Sequence, residues 1–174
     1  MKLIAWQPLD DKKVIERVLR GDTEAFNLLV RQWEKPIYNF ILRLIGNRDE
    51  AMDLCQDSFM KAYRELDTLN DGERFSAWLY RIAHNTCFSK IRKDQGRTWV
   101  ELDPEMAPHR MPVENRLAVE KALGDLPEDQ REVVVLKVFH GLKFEEIASV
   151  QGAPVSTVKS RLYMGFEKLR GILQ

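Results

Sequence analysis

Apolar residues along this chain return every three or four positions, and no stretch alternates polar with apolar as a half-buried strand does. From Phe26 the series Leu29, Val30, Trp33, Ile37, Phe40, Ile41, Leu44 and Ile45 keeps near-helical spacing, and Asp22-Thr-Glu-Ala ahead of it is a helix-start signal. Pro36 falls inside the series, where it bends rather than ends a helix. Gly46-Asn47 stops it. A second series, Ala51, Cys55, Phe59, Ala62 and Leu66, predicts a helix from about Asp49 to Leu69. A third, Phe75, Leu79, Ile82, Thr86 and Ile91, predicts one from about Glu73 to Lys93. With a short helix over Lys12 to Leu19, these form a first lobe built on three long helices.

The helical period lapses between Gln95 and Val113, where Gly96, Pro104, Pro108 and Pro112 mark a linker of roughly twenty residues. Beyond it, Val113 to Leu123 reads as a short helix. Leu126-Pro-Glu-Asp-Gln-Arg131 opens the next, with Pro127 suited to a first turn and Glu128 and Asp129 at the positive end of the helix dipole. His140-Gly141 ends that helix. From Lys143 to Tyr163 the pattern is a helix-turn-helix. Ile147 and Ala148 face inward, Gly152 and Pro154 break the chain, and Ser156 or Thr157 can cap the second helix. Val158 and Leu162 then point inward, leaving Ser156, Lys159, Ser160 and Tyr163 outward. Hydroxyls, a cation and an aromatic at the start of a helix are what reading a DNA major groove requires, although a helical hairpin with a solvated basic face has the same pattern. The expected architecture is all-α, with two small helical lobes, 12–94 and 114–174, joined by a flexible linker over 95–113.

A length of 174 residues, 44% of them hydrophobic, suits one ordinary domain or two small ones. No apolar run is long enough for a membrane span, and Met1 to Trp6 is too short for a signal peptide. Cys55 and Cys87, far apart in the sequence, are expected as buried thiols in a reducing cytoplasm. The net charge of zero argues against nucleic acid until it is divided along the chain. From Arg81 to Arg97 five cations meet one anion, and from Lys159 to Arg170 four meet one, whereas between Thr98 and Pro127 six anions outnumber three cations. Two basic elements are thus separated by an acidic connector.

The first basic element is the end of the third long helix. Phe75-Ser-Ala-Trp-Leu-Tyr-Arg-Ile-Ala-His-Asn-Thr86 leads into Cys87-Phe-Ser-Lys-Ile-Arg-Lys93, so aromatics open a helix that ends in Lys90, Arg92 and Lys93. Aromatic faces stack on unpaired bases and cations neutralise phosphates. Arg81, Asn85 and Arg92 can share one face, while Trp78, Leu79 and Ile82 suit a core. In the preceding helix Asp49, Asp53 and Asp57 stand four apart with Gln56 beside them, an acidic face that a basic partner would accept. His84 and Cys87 have ligand-like spacing, yet Cys55 is the only further ligand in prospect, short of a zinc set. With no Gly-rich phosphate loop, nucleophile elbow or paired carboxylates, no catalytic residue, metal or cofactor is expected.

Taken in order, Gly21-Asp-Thr-Glu-Ala-Phe26, Ala51-Met-Asp-Leu-Cys-Gln-Asp-Ser-Phe-Met-Lys-Ala-Tyr63, Phe75 to Thr86, Leu126-Pro-Glu-Asp-Gln-Arg-Glu-Val133 and Val155-Ser-Thr-Val-Lys-Ser-Arg-Leu162 closely resemble bacterial RNA polymerase sigma factors of the extracytoplasmic-function (ECF) type in the sigma-70 family. The likeness runs from about Lys12 to Leu173. It implies that the first lobe is region 2 and the last region 4, and that the chain directs promoter-specific initiation, helps open the strands and is no enzyme. Asp53, Gln56 and Asp57 would dock on the polymerase's clamp helices. Asn70, Asp71 and Gly72 would capture a flipped base of the −10 element, with Gly72 allowing a backbone shape other residues resist. Arg81, Asn85, Lys90, Arg92 and Lys93 would hold the melted strand. Ser156, Thr157, Lys159, Ser160, Arg161 and Tyr163 would meet the −35 element, Lys159 at base edges or phosphates and Arg161 at the backbone. The linker would follow the RNA exit path. Implied partners are core RNA polymerase, promoter DNA and an anti-sigma factor. One departure stands out: many relatives have arginine and alanine where this chain has Met164-Gly165, which removes a cation and adds a flexible residue. A helix-turn-helix regulator that binds duplex DNA without docking on polymerase is the alternative reading, and a sigma-like adaptor a third.

Overall fold

The structure, a computed structural model, describes residues 9–93 and 113–173, with backbone alone for 113–116. The expected linker lies almost wholly outside the described residues. All regular elements among the described residues are helical.

In the first lobe α1 spans Asp11–Leu19, with the Asp10 carboxylate accepting from the Lys13 N–H at its start. A 3-10 turn over Thr23–Ala25 leads into α2, Phe26–Ile45, which runs through Pro36. The left-handed Gly46 (φ 71°) ends α2, its N–H donating to the Leu42 carbonyl. Asn47 then caps α3, Arg48–Arg64, by accepting from the Glu50 N–H. The helix stops five residues short of the expected Leu69. A 3-10 turn over Leu66–Thr68 carries the last apolar residue of the series, Leu66, into the core. Another such turn, Gly72–Arg74, precedes α4, Phe75–Lys93.

The second lobe comprises α5 (Val113–Gly124), α6 (Glu128–Val134), α7 (Phe144–Gln151) and α8 (Val155–Leu173). Pro127 is the residue before α6 rather than part of its first turn. Past Val134 the chain widens into a π-helical turn over Val135–Phe139. Gly152, at φ 61°, closes α7 as expected. Because α8 starts at Val155, Ser156 and Thr157 lie in its first turn and Pro154 holds the cap position. Proline serves there because the first turn needs no N–H from it.

Each lobe buries an apolar stripe: Leu29, Ile37, Phe40 and Leu79 in the first, Leu123, Leu136, Ile147 and Val158 in the second. Full burial of such a side chain contributes about 1.5–3 kcal/mol. The two stripes are not separate cores. They merge into one cluster, with α4 packed on α7, and α2 on α5 and α6.

Candidate nucleic-acid interface

The recognition helix α8 is held from below by α6 and α7. Val158 and Leu162 are buried, while Ser156, Lys159, Ser160 and Tyr163 are exposed, Tyr163 to 66%. Lys159 keeps its ammonium over the Phe144 ring, 5.3 Å from the centroid, which steadies it without neutralising it. Arg161 is placed differently. Its guanidinium lies 2.9 Å from an Asp129 carboxylate oxygen and donates at 2.9 Å to the Gln151 side chain, tying α8 to both helices beneath it. Thr157 is half-buried.

A second surface is the loop ahead of α4. Asn70 is exposed. Asp71 uses its carboxylate to accept from the Glu73 N–H, fixing the turn. Gly72 has no left-handed φ, so the expected reason for a glycine there does not hold. It provides room instead, since a Cβ would come within 3.1 Å of the Lys12 Cα. Helix α1 therefore backs the loop, and α1 is pinned by Asp11, which accepts from the Gln32 amide (2.7 Å) and the Trp33 indole (3.1 Å). Further along α4, Arg81, Asn85, Arg92 and Lys93 are exposed and Lys90 is half-buried. Trp78 lines a cleft of about 680 Å³ with Asn70, Asp71 and Arg81, and its ring is tilted against the buried Phe75, 5.9 Å away.

On α3 the exposed row contains Asp53, Gln56 and Asp57. Beside it runs an apolar groove of about 540 Å³ between α2 and α3, lined by Val30, Tyr38, Met52, Phe59 and Met60, with Gln56 on its rim. Cys55 sits at its floor. Burial, with Glu34 adding to it, pushes the Cys55 thiol up to about 12, and burial raises that of Cys87 as well. Both are free.

The seam between the lobes holds residues that sequence reasoning missed. Arg43 of α2 pairs with Glu120 of α5 at 3.0 Å, with side-chain exposures of 3% and 2%. Arg43 also lies 4.1 Å over the Phe139 ring. Burial raises the Glu120 carboxyl from its ordinary value, opposed by the Arg43 charge. Arg131 donates to the carbonyls of Leu123, Gly124 and Leu126 within its lobe and to Leu44 across the seam. Tyr80 bonds His140 Nδ1 at 2.8 Å, and His84 Nδ1 meets Glu132 at 2.6 Å. His84 thus faces a carboxylate of the other lobe, and among the described residues no cluster could hold a metal ion. A signal was present. Arg43 interrupts Ile41-Leu42 and Leu44-Ile45, and Glu132 abuts Val133-Val134-Val135, so each is a lone charge in a run that must be buried.

A family model for sigma-70 region 2 matches residues 29–98, and one for sigma-70 region 4 matches 116–169. The chain is 34% identical to the RNA polymerase sigma-H factor of Pseudomonas aeruginosa, over 94% of each chain. It is 33% identical to the ECF RNA polymerase sigma factor SigW of Bacillus subtilis, covering 91% of this chain and 94% of that one. With the ECF RNA polymerase sigma-E factor of Escherichia coli K12 it shares 33% identity over 97% and 96%. These relatives are sigma factors, not enzymes. Among solved structures, CnrH in complex with the cytosolic domain of CnrY superposes with a TM-score of 0.74 at 28% identity, over 95% of this chain and 97% of that one. The sigma factor RpoE of Bartonella quintana, in complex with the anti-sigma factor NepR, gives 0.73 at 28% identity, over 85% and 96%. With both family models in order and full-length relatives above 30% identity, the chain belongs to the sigma-70 family of RNA polymerase sigma factors, in its ECF group.

Proposed function

We propose that this sigma factor directs promoter-specific initiation through three surfaces: α3 for core polymerase, the Asn70–Gly72 loop with α4 for the −10 element, and α8 for the −35 element. Region 2 takes in 12–94 and region 4 takes in 114–174. The observation that carries the reading is the exposure of Asp53, Gln56 and Asp57 in one row beside an apolar groove. A row of carboxylates next to accessible apolar surface suits a basic, amphipathic helical partner, as the clamp helices would be. Asn70 opens onto the cleft where an extruded base would stack against Trp78, and Arg81, Asn85, Arg92 and Lys93 continue along α4 as a track for the strand's phosphates. On α8, Ser156, Lys159, Ser160 and Tyr163 form the reading face, whereas Arg161 positions the helix from below. Chemistry stays with the polymerase. Polymerase and promoter place the protein in the cytoplasm, where reduced Cys55 and Cys87 are stable. An anti-sigma factor is the expected regulator, since one similar chain, the sigma factor RpoE of Bartonella quintana, has been solved with such a partner bound.

Run-off transcription with purified core polymerase tests the reading. The chain should direct discrete start sites, and replacing Asp53, Gln56 and Asp57 by alanine should abolish capture of core polymerase without lowering the melting temperature. Each lost charge-assisted contact costs about 1.5–3 kcal/mol, roughly tenfold or more in affinity. Unchanged capture by the triple variant would remove α3 from the docking surface.

A further inference from the structure

Met164-Gly165 departs from the arginine and alanine of many relatives, and its two residues lie on opposite sides of α8. Gly165 is buried against α6, where a Cβ would stand 3.0 Å from Val134 Cγ2. Met164 points the other way and is 51% exposed. Helical phase gives it a place. Residues three and four apart share a face, so Met164, four beyond Ser160, is the next member of the row Ser156, Lys159, Ser160 and Tyr163. The contact is present in the structure, with Ser160 Oγ donating to Met164 Sδ at 4.0 Å. Met164 lies about 12 Å along the axis from Ser156 at about 1.5 Å per residue, no further than a major groove is wide. The close seat of Gly165 on α6 fixes the backbone from which Met164 projects.

The chemistry of the pair sets what it can recognise. An arginine at this position would offer several donors and a full charge, which suit guanine O6 and N7 or a phosphate. A thioether offers neither. It is a polarisable apolar group on a flexible stem, and the one apolar group that a base pair displays in the major groove is the thymine C5-methyl. Ser160 directs its proton to the sulfur, which leaves oxygen lone pairs to accept from outside. The adenine N6 amino group, on the same edge of the pair as that methyl, is a donor such an oxygen can meet. Cations flank the two residues: Lys159 sits over the Phe144 ring, and the exposed Lys168 lies one turn further on. We propose that Met164, with Ser160, is a specificity determinant of −35 reading and selects an A·T pair through the thymine methyl. The proposal rests on the sigma-factor reading above and assigns the class of base that this part of α8 takes.

Removing that methyl from the DNA tests this. Run-off transcription by the full chain with subsaturating core polymerase, over promoters with randomised −35 sequences, should return at least one position at which thymine is preferred. Each preferred thymine is then replaced singly by deoxyuridine, which lacks only the C5-methyl. At one position the replacement should cut run-off about fourfold, the worth of one buried methyl group. This arm uses the unaltered chain, so it does not depend on how any variant folds. With Met164→Ala the same position should accept thymine and deoxyuridine equally. Met164→Leu, still apolar, should go on favouring thymine there, and Met164→Arg should move the preference towards guanine. Absence of run-off from every template would overturn the sigma-factor reading and this proposal with it. With run-off present, three results would overturn the proposal alone: no preferred thymine, indifference to the methyl at every preferred thymine, or a methyl effect undiminished in Met164→Ala. A thymine preference left intact by Met164→Arg would do the same.

Discussion

Gly165 shows how a single missing methyl sets a packing distance. A Cβ there would sit 3.0 Å from Val134 Cγ2, and Val134 is itself buried. The residue expected to add flexibility to the recognition helix instead lets α8 lie close on α6. Gly171, six positions on in the same helix, has open space around it. Alanine gains up to about 1 kcal/mol over glycine in a helix, while overfilling a packed contact costs about 1–3 kcal/mol. Gly165→Ala should therefore lower the melting temperature by a few degrees and Gly171→Ala raise it slightly. Thermal melts of both would decide, and a rise in both would show that Val134 yields freely. Gly72 has the same logic at the −10 loop, where α1 takes the place of the absent side chain.

Within α8, two cations two residues apart have unlike surroundings. Lys159 is exposed above the Phe144 ring, whereas Arg161 is shared between Asp129 and Gln151. Lys159→Ala should change the −35 preference and leave stability intact. Arg161→Ala should cost about 1 kcal/mol after allowing for partial exposure of the pair, lowering the melting temperature by roughly 2–4 °C. Its loss of transcription should be uniform across −35 sequences. A library of −35 variants transcribed by each protein, with melts alongside, separates the roles. Equal preference profiles would return Lys159 to the solvated surface.

Across the seam the pH dependence of stability should follow His140. Its ring lies between Phe40 and Tyr80, and burial, with Arg43 nearby, lowers its pKa from 6.5 to about 4. The unfolded chain protonates near 6.5 and the folded chain only near 4. Unfolding therefore takes up a proton within that window, and stability falls as pH falls through it, by at most about 1.4 kcal/mol per unit. The contribution is complete above 6.5 and gone below about 4. Glu120, raised by burial, works in the opposite sense, but it does so in both proteins of a comparison. His140→Gln should flatten the fall in melting temperature between pH 6.5 and about 4 relative to the parent. Parallel curves would mean the ring takes its proton freely in the folded state.

Helix order, the two lobes and the helix-turn-helix were legible because amphipathic spacing is a local property, written in residues such as Leu29, Trp33, Ile37 and Phe40 at intervals one helical face requires. Helix ends were less so. Leu66 keeps the apolar series of α3 going although the backbone has already turned, and Pro154 moved the start of α8 ahead of the residues best suited to cap it. Exposure of Lys159, Asp53 and Asn85 also followed from phase alone, since a side chain opposite a buried stripe faces water. What spacing cannot carry is which stripe meets which. The pairing of Arg43 with Glu120 spans 77 positions and the shared cleft joins residues of both lobes. Only the tertiary structure decided that the lobes close on one another, because that choice is made by shape and charge complementarity between distant segments, and no local period records it.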